Sequence, residues 1–304
     1  MLRFDDRVAV ITGAGRGLGR EYAMLLASRG AKVVVNDSGG PLSGAGCDTA
    51  PAQEVVDEIL GAGGQAVACA ESVATAAGGR AIIDCALDCF GRLDVLVHNA
   101  GNVRRAALAE MSDDDFRAVL DVHLFGAFHV VRAAFPAMVA ARYGRIVLTS
   151  SIGGLYGNHD VANYAAAKAG TIGLANVAAL EGEPHGIKCN VIVPAAVTRM
   201  AEGLDTSAYP PMGPELVAPV VGWLAHESCS ISGEMLAAIA GRVARVVVVE
   251  TPGVYRQEWS IEDVAERIDE IRDCGDTVIF PVVPGGHSDH IGFSFGMARN
   301  GRAT

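Results

Sequence analysis

The sequence predicts an α/β fold, a doubly wound parallel sheet of about seven strands with a C-terminal appendage. Three observations predict it. Short β-branched runs alternate with helical stretches over residues 1–242, the pattern of successive β-α-β units. The strand runs are continuously apolar, as in sheets covered on both faces. A glycine-rich loop joins the first strand to the first helix, Thr12-Gly13-Ala14-Gly15-Arg16-Gly17-Leu18-Gly19, where such folds bind anions.

Taken in order, the predicted strands are Val8–Thr12, Lys32–Asn36, Gln65–Cys69, Leu93–Val97, Arg145–Thr149, Lys188–Val193 and a weaker Met235–Ile239. The predicted helices are Leu18–Arg29, Ala52–Leu60, Gly79–Phe90, Asp113–Ala141 and Ala162–Glu183. Ser112 and Asp115 form a weak capping pair for the long helix. The segment Asn36–Ala50 is a long Gly/Ser/Pro loop, and Ala201–Pro214 is a second irregular stretch. Residues 243–304 form the appendage, expected to pack on the domain or on a partner subunit. In it, Val243–Val249 is one more apolar run, and Ser260–Arg272 is an amphipathic helix capped by Ser260 and Asp263.

Composition bounds the function. With 304 residues, half of them hydrophobic, a large core is possible. A formal net charge of −11 with only three lysines argues against a nucleic-acid partner, which needs clustered cations. Seven cysteines without a C-x-x-C pair suggest a reduced, cytoplasmic protein. Cys85 and Cys89 stand four apart on a predicted helix and read as small apolar residues. No metal site is expected, and no unbroken apolar run approaches the roughly 20 residues of a membrane span.

The glycine loop reads T-G-x-x-x-G-x-G, with Gly13, Gly17 and Gly19 as its glycines, and differs from the commoner G-x-G-x-x-G. The physics is shared: the backbone turns sharply, and free N–H groups at a helix start favour a pyrophosphate. Asp37 ends the second strand, where a carboxylate accepts hydrogen bonds from ribose hydroxyls and repels a 2′-phosphate. That favours NAD. Arg16, a cation in the same loop, pulls toward NADP.

Tyr164 and Lys168 lie four apart on one helix face. Ser151 precedes Tyr164 by thirteen residues, just past the fifth strand. A secondary alcohol must lose a proton as its hydride leaves. A tyrosine accepts that proton only if its pKa falls from about 10. A neighbouring ammonium lowers it, and a serine hydroxyl stabilises charge developing on the substrate oxygen. The set argues for an active enzyme over a catalytically silent nucleotide-binding scaffold on the same fold.

From Arg3 to Gly241 the chain resembles the short-chain dehydrogenase/reductase family. His98-Asn99-Ala100-Gly101 resembles the family's N-N-A-G, and Asn190 to Thr198 its N-x-x-x-P-G-x-x-x-T. The resemblance implies a Rossmann sheet, NAD as cofactor, and Ser151, Tyr164 and Lys168 as catalytic residues. It places Gly13, Arg16, Gly17, Leu18, Gly19, Asp37, Ser72, Val73, Asn99, Ala100, Gly101, Tyr164, Lys168, Pro194, Val197 and Thr198 on the cofactor. It further implies a homodimer or homotetramer. Three positions depart from the pattern. His98 replaces the first Asn, Ala195 replaces the Gly after Pro194, and His123 stands where the family carries a catalytic Asn. His123 then either packs as a satisfied core residue or holds a water of a proton relay to Lys168.

Leu2-Arg3-Phe4-Asp5, Val35 to Gly40, Val122 to Gly126, Leu155 to Asn158 and Leu224 to Ser228 narrow the resemblance. They are similar to the (3R)-hydroxyacyl-CoA dehydrogenase part of the multifunctional β-oxidation enzymes, a group that includes 17β-hydroxysteroid dehydrogenases. Two substrates follow from that resemblance, a (3R)-3-hydroxyacyl-CoA or a 17β-hydroxysteroid. Leu204, Tyr209 and Met212 are candidates to line the substrate groove, and Arg104, Arg105 and Arg199 to meet CoA phosphates.

Overall fold

A computed structural model describes residues 1–40, 49–198 and 209–301. The apolar runs become strands β1 (Val8–Thr12), β2 (Lys32–Asn36), β3 (Gln65–Cys69), β4 (Val95–His98), β5 (Gly144–Thr149), β6 (Ile187–Ala195) and β7 (Met235–Ile239). An eighth, β8 (Arg242–Val246), joins the edge, so the sheet has the order 3-2-1-4-5-6-7-8, one strand more than predicted. The pairs among β1 to β7 are all parallel. Central strands are buried throughout, with Ile11, Val97 and Leu148 fully enclosed. Each such side chain contributes about 1.5–3 kcal/mol.

β4 starts two residues later than predicted, because Asp94 is recruited elsewhere. Its buried carboxylate accepts from Val8 N at 2.9 Å and from Arg7 at 3.1 Å, with Arg92 as a third donor. These groups tie the amino ends of β1 and β4 together. His226 and Glu227 join the same end: His226 Nε2 lies 2.9 Å from the Arg3 carbonyl, and Glu227 accepts from Arg7 at 2.9 Å.

The helices are α1 (Gly17–Ser28), α2 (Ala50–Gly61), α3 (Ala76–Phe90), α4 (Asp113–Leu120), α5 (Gly126–Ala141), α6 (Ile152–Tyr156), α7 (Ala162–Gly182) and α8 (Ala218–Ala225). The single helix predicted over Asp113–Ala141 is interrupted. Asp121–Phe125 is a π-helical turn, in which Gly126 N donates to Asp121 O. Ser112 caps α4 by accepting from Asp115 N at 3.1 Å. The whole stretch contains an 18-residue window of mean hydropathy 1.5, enough by length and composition to cross a membrane. A third of that window is buried, including Ala127, Val130, Val131, Ala134 and Met138 of α5.

The chain divides into two compact units, Met1–Arg245 and Val246–Thr304. In the second, the amphipathic helix predicted over Ser260–Arg272 is two short pieces, α9 (Ile261–Glu266) and α10 (Ile268–Ile271), separated at Arg267. Ser260 and Asp263 do form a reciprocal capping box. A further helix, α11 (Gly286–Gly301), closes this unit. His290 pairs with Glu250 at 3.0 Å and packs edge-on against Phe280.

Candidate active site

The site lies at the carboxyl ends of the parallel strands, where strand order reverses between β1 and β4, the expected place for a ligand in such sheets. A cleft there is lined by Gly13, Arg16, Gly17, Leu18, Asp37, Ser72, Val73, Asn99, Ala100, Gly101 and Thr198 of the predicted cofactor set. Asn36, Glu71, Asn102 and Val122 line it too. Gly19, Pro194, Val197, Tyr164 and Lys168 are not among its lining residues.

The glycines are required for different reasons. Gly13 and Gly17 have φ of +64° and +53°, a region costly for other residues. A Cβ on Gly19 would stand 2.1 Å from the Gly13 carbonyl oxygen, which is impossible. Gly19 therefore also packs directly against the Gly13 carbonyl. Among the described residues no side chain caps α1, and its first turn carries no acid. Its N–H groups are left for an anion. Asp37 faces the cleft and also holds the loop: its carboxylate accepts from Gly15 N at 2.9 Å and from Gly39 N at 2.8 Å. Uncapped helix start, glycine cradle and carboxylate together fit a dinucleotide.

Thr12, the first residue of the glycine motif, has a role the motif does not predict: it organises the cleft wall. Its hydroxyl oxygen accepts from Asn99 N and Ala100 N, both at 3.1 Å. Its hydrogen is then directed to His98 Nδ1, 3.0 Å away, which leaves His98 Nε2–H to donate to the His123 carbonyl at 3.2 Å. Asn99 Nδ2 donates to the Gly13 carbonyl at 3.1 Å. His98 is buried and outside the cleft lining. Burial pushes its pKa down to about 3, with the Lys168 charge adding.

The catalytic candidates converge beside this wall. Ser151 caps α6, its Oγ accepting from Gly153 N at 3.1 Å. Burial pushes the Tyr164 phenol up, while the Ser151 hydroxyl and the nearby Arg105 charge pull it down. Lys168 is buried, its Nζ donates to the Thr149 carbonyl at 2.6 Å, and it lies 5.6 Å from the Tyr164 ring centroid. Burial pushes the Lys168 ammonium down to about 7. Asn163, also unforeseen, fixes the start of α7: its Nδ2 donates to the Arg104 and Asp115 carbonyls, both at 3.1 Å.

The π turn carries His123 inward beneath Gly101, where a Cβ would stand 2.4 Å from the ring. The ring meets Tyr164 edge-on with centroids 5.2 Å apart. Its Nε2 lies 3.0 Å from the Asn102 N, which donates to it, and 2.8 Å from the Asn102 carbonyl, while Nδ1 is buried and has no hydrogen-bond partner among the described residues. Burial, and then Lys168, hold its pKa well below the ordinary value. The ring is neutral, with Nδ1 left to a further partner.

Among the substrate candidates, Arg104 is engaged with Asp115 at 2.9 Å. Arg105 is exposed. Tyr209 is half exposed, and the Met212 carbonyl accepts from Val197 N at 2.6 Å. Arg199 and Leu204 lie outside the described residues.

Residues 7–207 match the family described as short chain dehydrogenase. The chain is 51% identical over 253 residues to peroxisomal multifunctional enzyme type 2 of Drosophila melanogaster, covering 83% of this chain and 42% of that protein. It thus spans less than half the length of that relative. It is 46% identical over 271 residues to a short-chain type dehydrogenase/reductase of Mycobacterium tuberculosis, covering 88% of this chain and 95% of the other. The solved structure of the full-length Drosophila enzyme superposes with a TM-score of 0.80 at 39% identity, over 98% of this chain and 50% of that one. Several relatives bear peroxisomal names, which overturns the expectation of a cytoplasmic protein. That expectation rested on reduced cysteines, which suit any reducing compartment. The match in sequence, the sheet order and the glycine cleft agree: this chain belongs to the short-chain dehydrogenase family and is an oxidoreductase using a nicotinamide dinucleotide.

Proposed function

We propose that the protein oxidises a (3R)-3-hydroxyacyl-CoA to the 3-ketoacyl-CoA with NAD. The observation that carries the chemistry is the meeting of Ser151, Tyr164 and Lys168 beside the glycine cleft. When bound, the oxidised dinucleotide supplies a hydride acceptor and a positive ring. Tyr164 Oη takes the hydroxyl proton of the substrate. Ser151 Oγ donates to the substrate oxygen and lowers the phenol pKa. Lys168, held by the Thr149 carbonyl, orients its charge beside the phenol. His123 Nδ1 holds a water that relays the proton toward Lys168. In the reverse direction the raised phenol pKa suits Tyr164 as proton donor.

NAD is favoured over NADP because the Asp37 carboxylate, fixed by Gly15 and Gly39, meets a 2′-phosphate with like charge. Arg16 also lines the cleft and is the reason NADP stays the rival. The acyl-CoA is favoured over a 17β-hydroxysteroid by the likeness to the multifunctional enzyme. Arg105 supports it as an exposed cation near Tyr164, suited to a phosphate of CoA. Every residue given a role precedes Arg245, so the unit Val246–Thr304 is assigned as an extension outside the chemistry. We further propose a homodimer or homotetramer paired through α5 and α7.

Paired kinetics test the reading, with a 3-hydroxyacyl-CoA and a 17β-hydroxysteroid, each with NAD and NADP. The expected result is efficient NADH formation from the acyl-CoA, and a smaller NAD preference in Asp37→Ala. Steroid oxidation without acyl-CoA turnover would replace the substrate. Equal efficiency with both dinucleotides would remove the role of Asp37.

A further inference from the structure

The turn that carries His123 has no cause in its own sequence, since Asp121–Phe125 contains neither Pro nor Gly. A cause reaches it from the neighbouring strand. His98 ends β4, and its Cα is paired in register with that of Thr12 at the end of β1. The Thr12 oxygen accepts from Asn99 N and Ala100 N, so its hydrogen goes to His98 Nδ1. That fixes the tautomer. The remaining Nε2–H of His98 donates to the His123 carbonyl at 3.2 Å. A side chain inserted into the hydrogen-bond ladder is one of the few causes of a break in a helix.

Two glycines make room for the two rings. A Cβ on Gly126, the first residue after the turn, would stand 3.3 Å from His98 Cε1. A Cβ on Gly101 would stand 2.4 Å from His123 Cε1. His98 thus grips the backbone of the turn, while the His123 side chain leaves it to lie beneath Gly101 and edge-on to Tyr164, at 5.2 Å between centroids. His98 is buried and held neutral by that burial, so Nδ1 stays an acceptor and Nε2 a donor.

We propose that His98 is a positioning residue for the reaction: by donating to the His123 carbonyl it sets the π turn and so holds the His123 ring beside Tyr164. The proposal rests on the role given to His123 above. The two nitrogens of His98 can be separated by side-chain length. The amide of Asn ends where Nδ1 does, and the amide of Gln ends where Nε2 does. His98→Asn therefore keeps an acceptor for the Thr12 hydroxyl and loses the donor to the His123 carbonyl. His98→Gln keeps that donor and loses the acceptor. A histidine that only filled space would show no such division in the rate. The cleft wall made by Thr12, Asn99 and Ala100 survives His98→Asn, so dinucleotide binding and turnover should part company in that variant.

The test combines steady-state kinetics on whichever substrate turns over in the paired assay, NADH titration by fluorescence, and crystal structures of the variants. His98→Asn should lower kcat about tenfold or more, because small misplacements beside the reacting groups are costly. Its NADH Kd should stay within about twofold of the wild type, as for a group that acts after binding. His98→Gln should recover kcat to within about threefold. In a His123→Ala background, adding His98→Asn should change kcat by less than about twofold, because the two residues act as one unit. The His98→Asn crystal structure should show the His123 ring displaced from Tyr164. An unchanged kcat in His98→Asn overturns the proposal. So does an equal loss in His98→Gln, a full effect in the His123→Ala background, or a His123 ring that has not moved. Should His98→Asn fail to fold, the nitrogen NMR spectrum of the wild-type histidines decides. A His98 ring protonated on Nδ1 has no hydrogen on Nε2 to donate, and that result also overturns the proposal. An unchanged kcat in His123→Ala alone overturns instead the role given to His123 above, and the effect on rate with it, while the His98→Asn crystal structure still reads what sets the turn.

Discussion

At the scale of single residues, Tyr164 and His98 carry the sharpest expectations. Tyr164→Phe removes the proton acceptor and leaves the glycine loop and Asp37 in place. Turnover should fall at least about 100-fold, with NADH affinity by fluorescence titration nearly unchanged. His98 makes a claim about acid stability. Its folded pKa is about 3, below the ordinary value of about 6.5. The unfolded ring accordingly takes a proton that the folded ring refuses. Its contribution is complete above about pH 6.5 and is lost as pH falls toward about 3. Between pH 7 and pH 5 this one group should cost about 2 kcal/mol. His98→Asn keeps a polar side chain without the titration, so urea midpoints at the two pH values should differ less than in the wild type. His123, shifted in the same direction, leaves a residual slope in that variant.

At the scale of elements, the strand–loop–helix joint is the least tolerant part of the site. Gly19→Ala places a methyl 2.1 Å from the Gly13 carbonyl oxygen, a backbone atom, and 2.7 Å from Asn99 Nδ2. That variant should lose measurable dinucleotide binding and melt lower in a thermal-shift assay; wild-type binding would show that the loop can move. The helix α4–α5 teaches a different lesson. Its apolar period reads as one long helix, and the sequence contains no Pro or Gly at the point where the π turn begins. The π turn becomes visible only once His123 has a place to go, beneath Gly101 and against Tyr164. π turns of this kind are frequent at functional sites.

For the whole molecule, the expectation is self-association. α5 and the π turn expose Phe125 and Phe128, 43% and 41% accessible, and α7 exposes Val177 at 50%. Aromatic side chains left in water on core helices are the usual mark of an interface. Light scattering at micromolar concentration should give at least the mass of a dimer, and Phe128→Glu should lower it. A monomeric wild type would remove the pairing through α5 and α7.

By itself the sequence determined the parts whose signal is local. β1, β2, β3 and β7 begin and end where their apolar runs do, because a strand buried on both faces must be continuously apolar. The glycine loop and the Tyr164–Lys168 spacing were legible for the same reason, since a turn and a helix face are set by neighbours in the chain. Only the tertiary structure decided what depends on distant partners. Thr12 became a cleft organiser because Asn99 and Ala100 reach it from β4. Gly19 gained a packing reason from the Gly13 carbonyl, and Arg104 a partner in Asp115. Asn163 gained its role from the Arg104 and Asp115 carbonyls. No periodicity records such meetings, because a hydrogen bond between remote residues leaves no pattern in either residue's own neighbourhood.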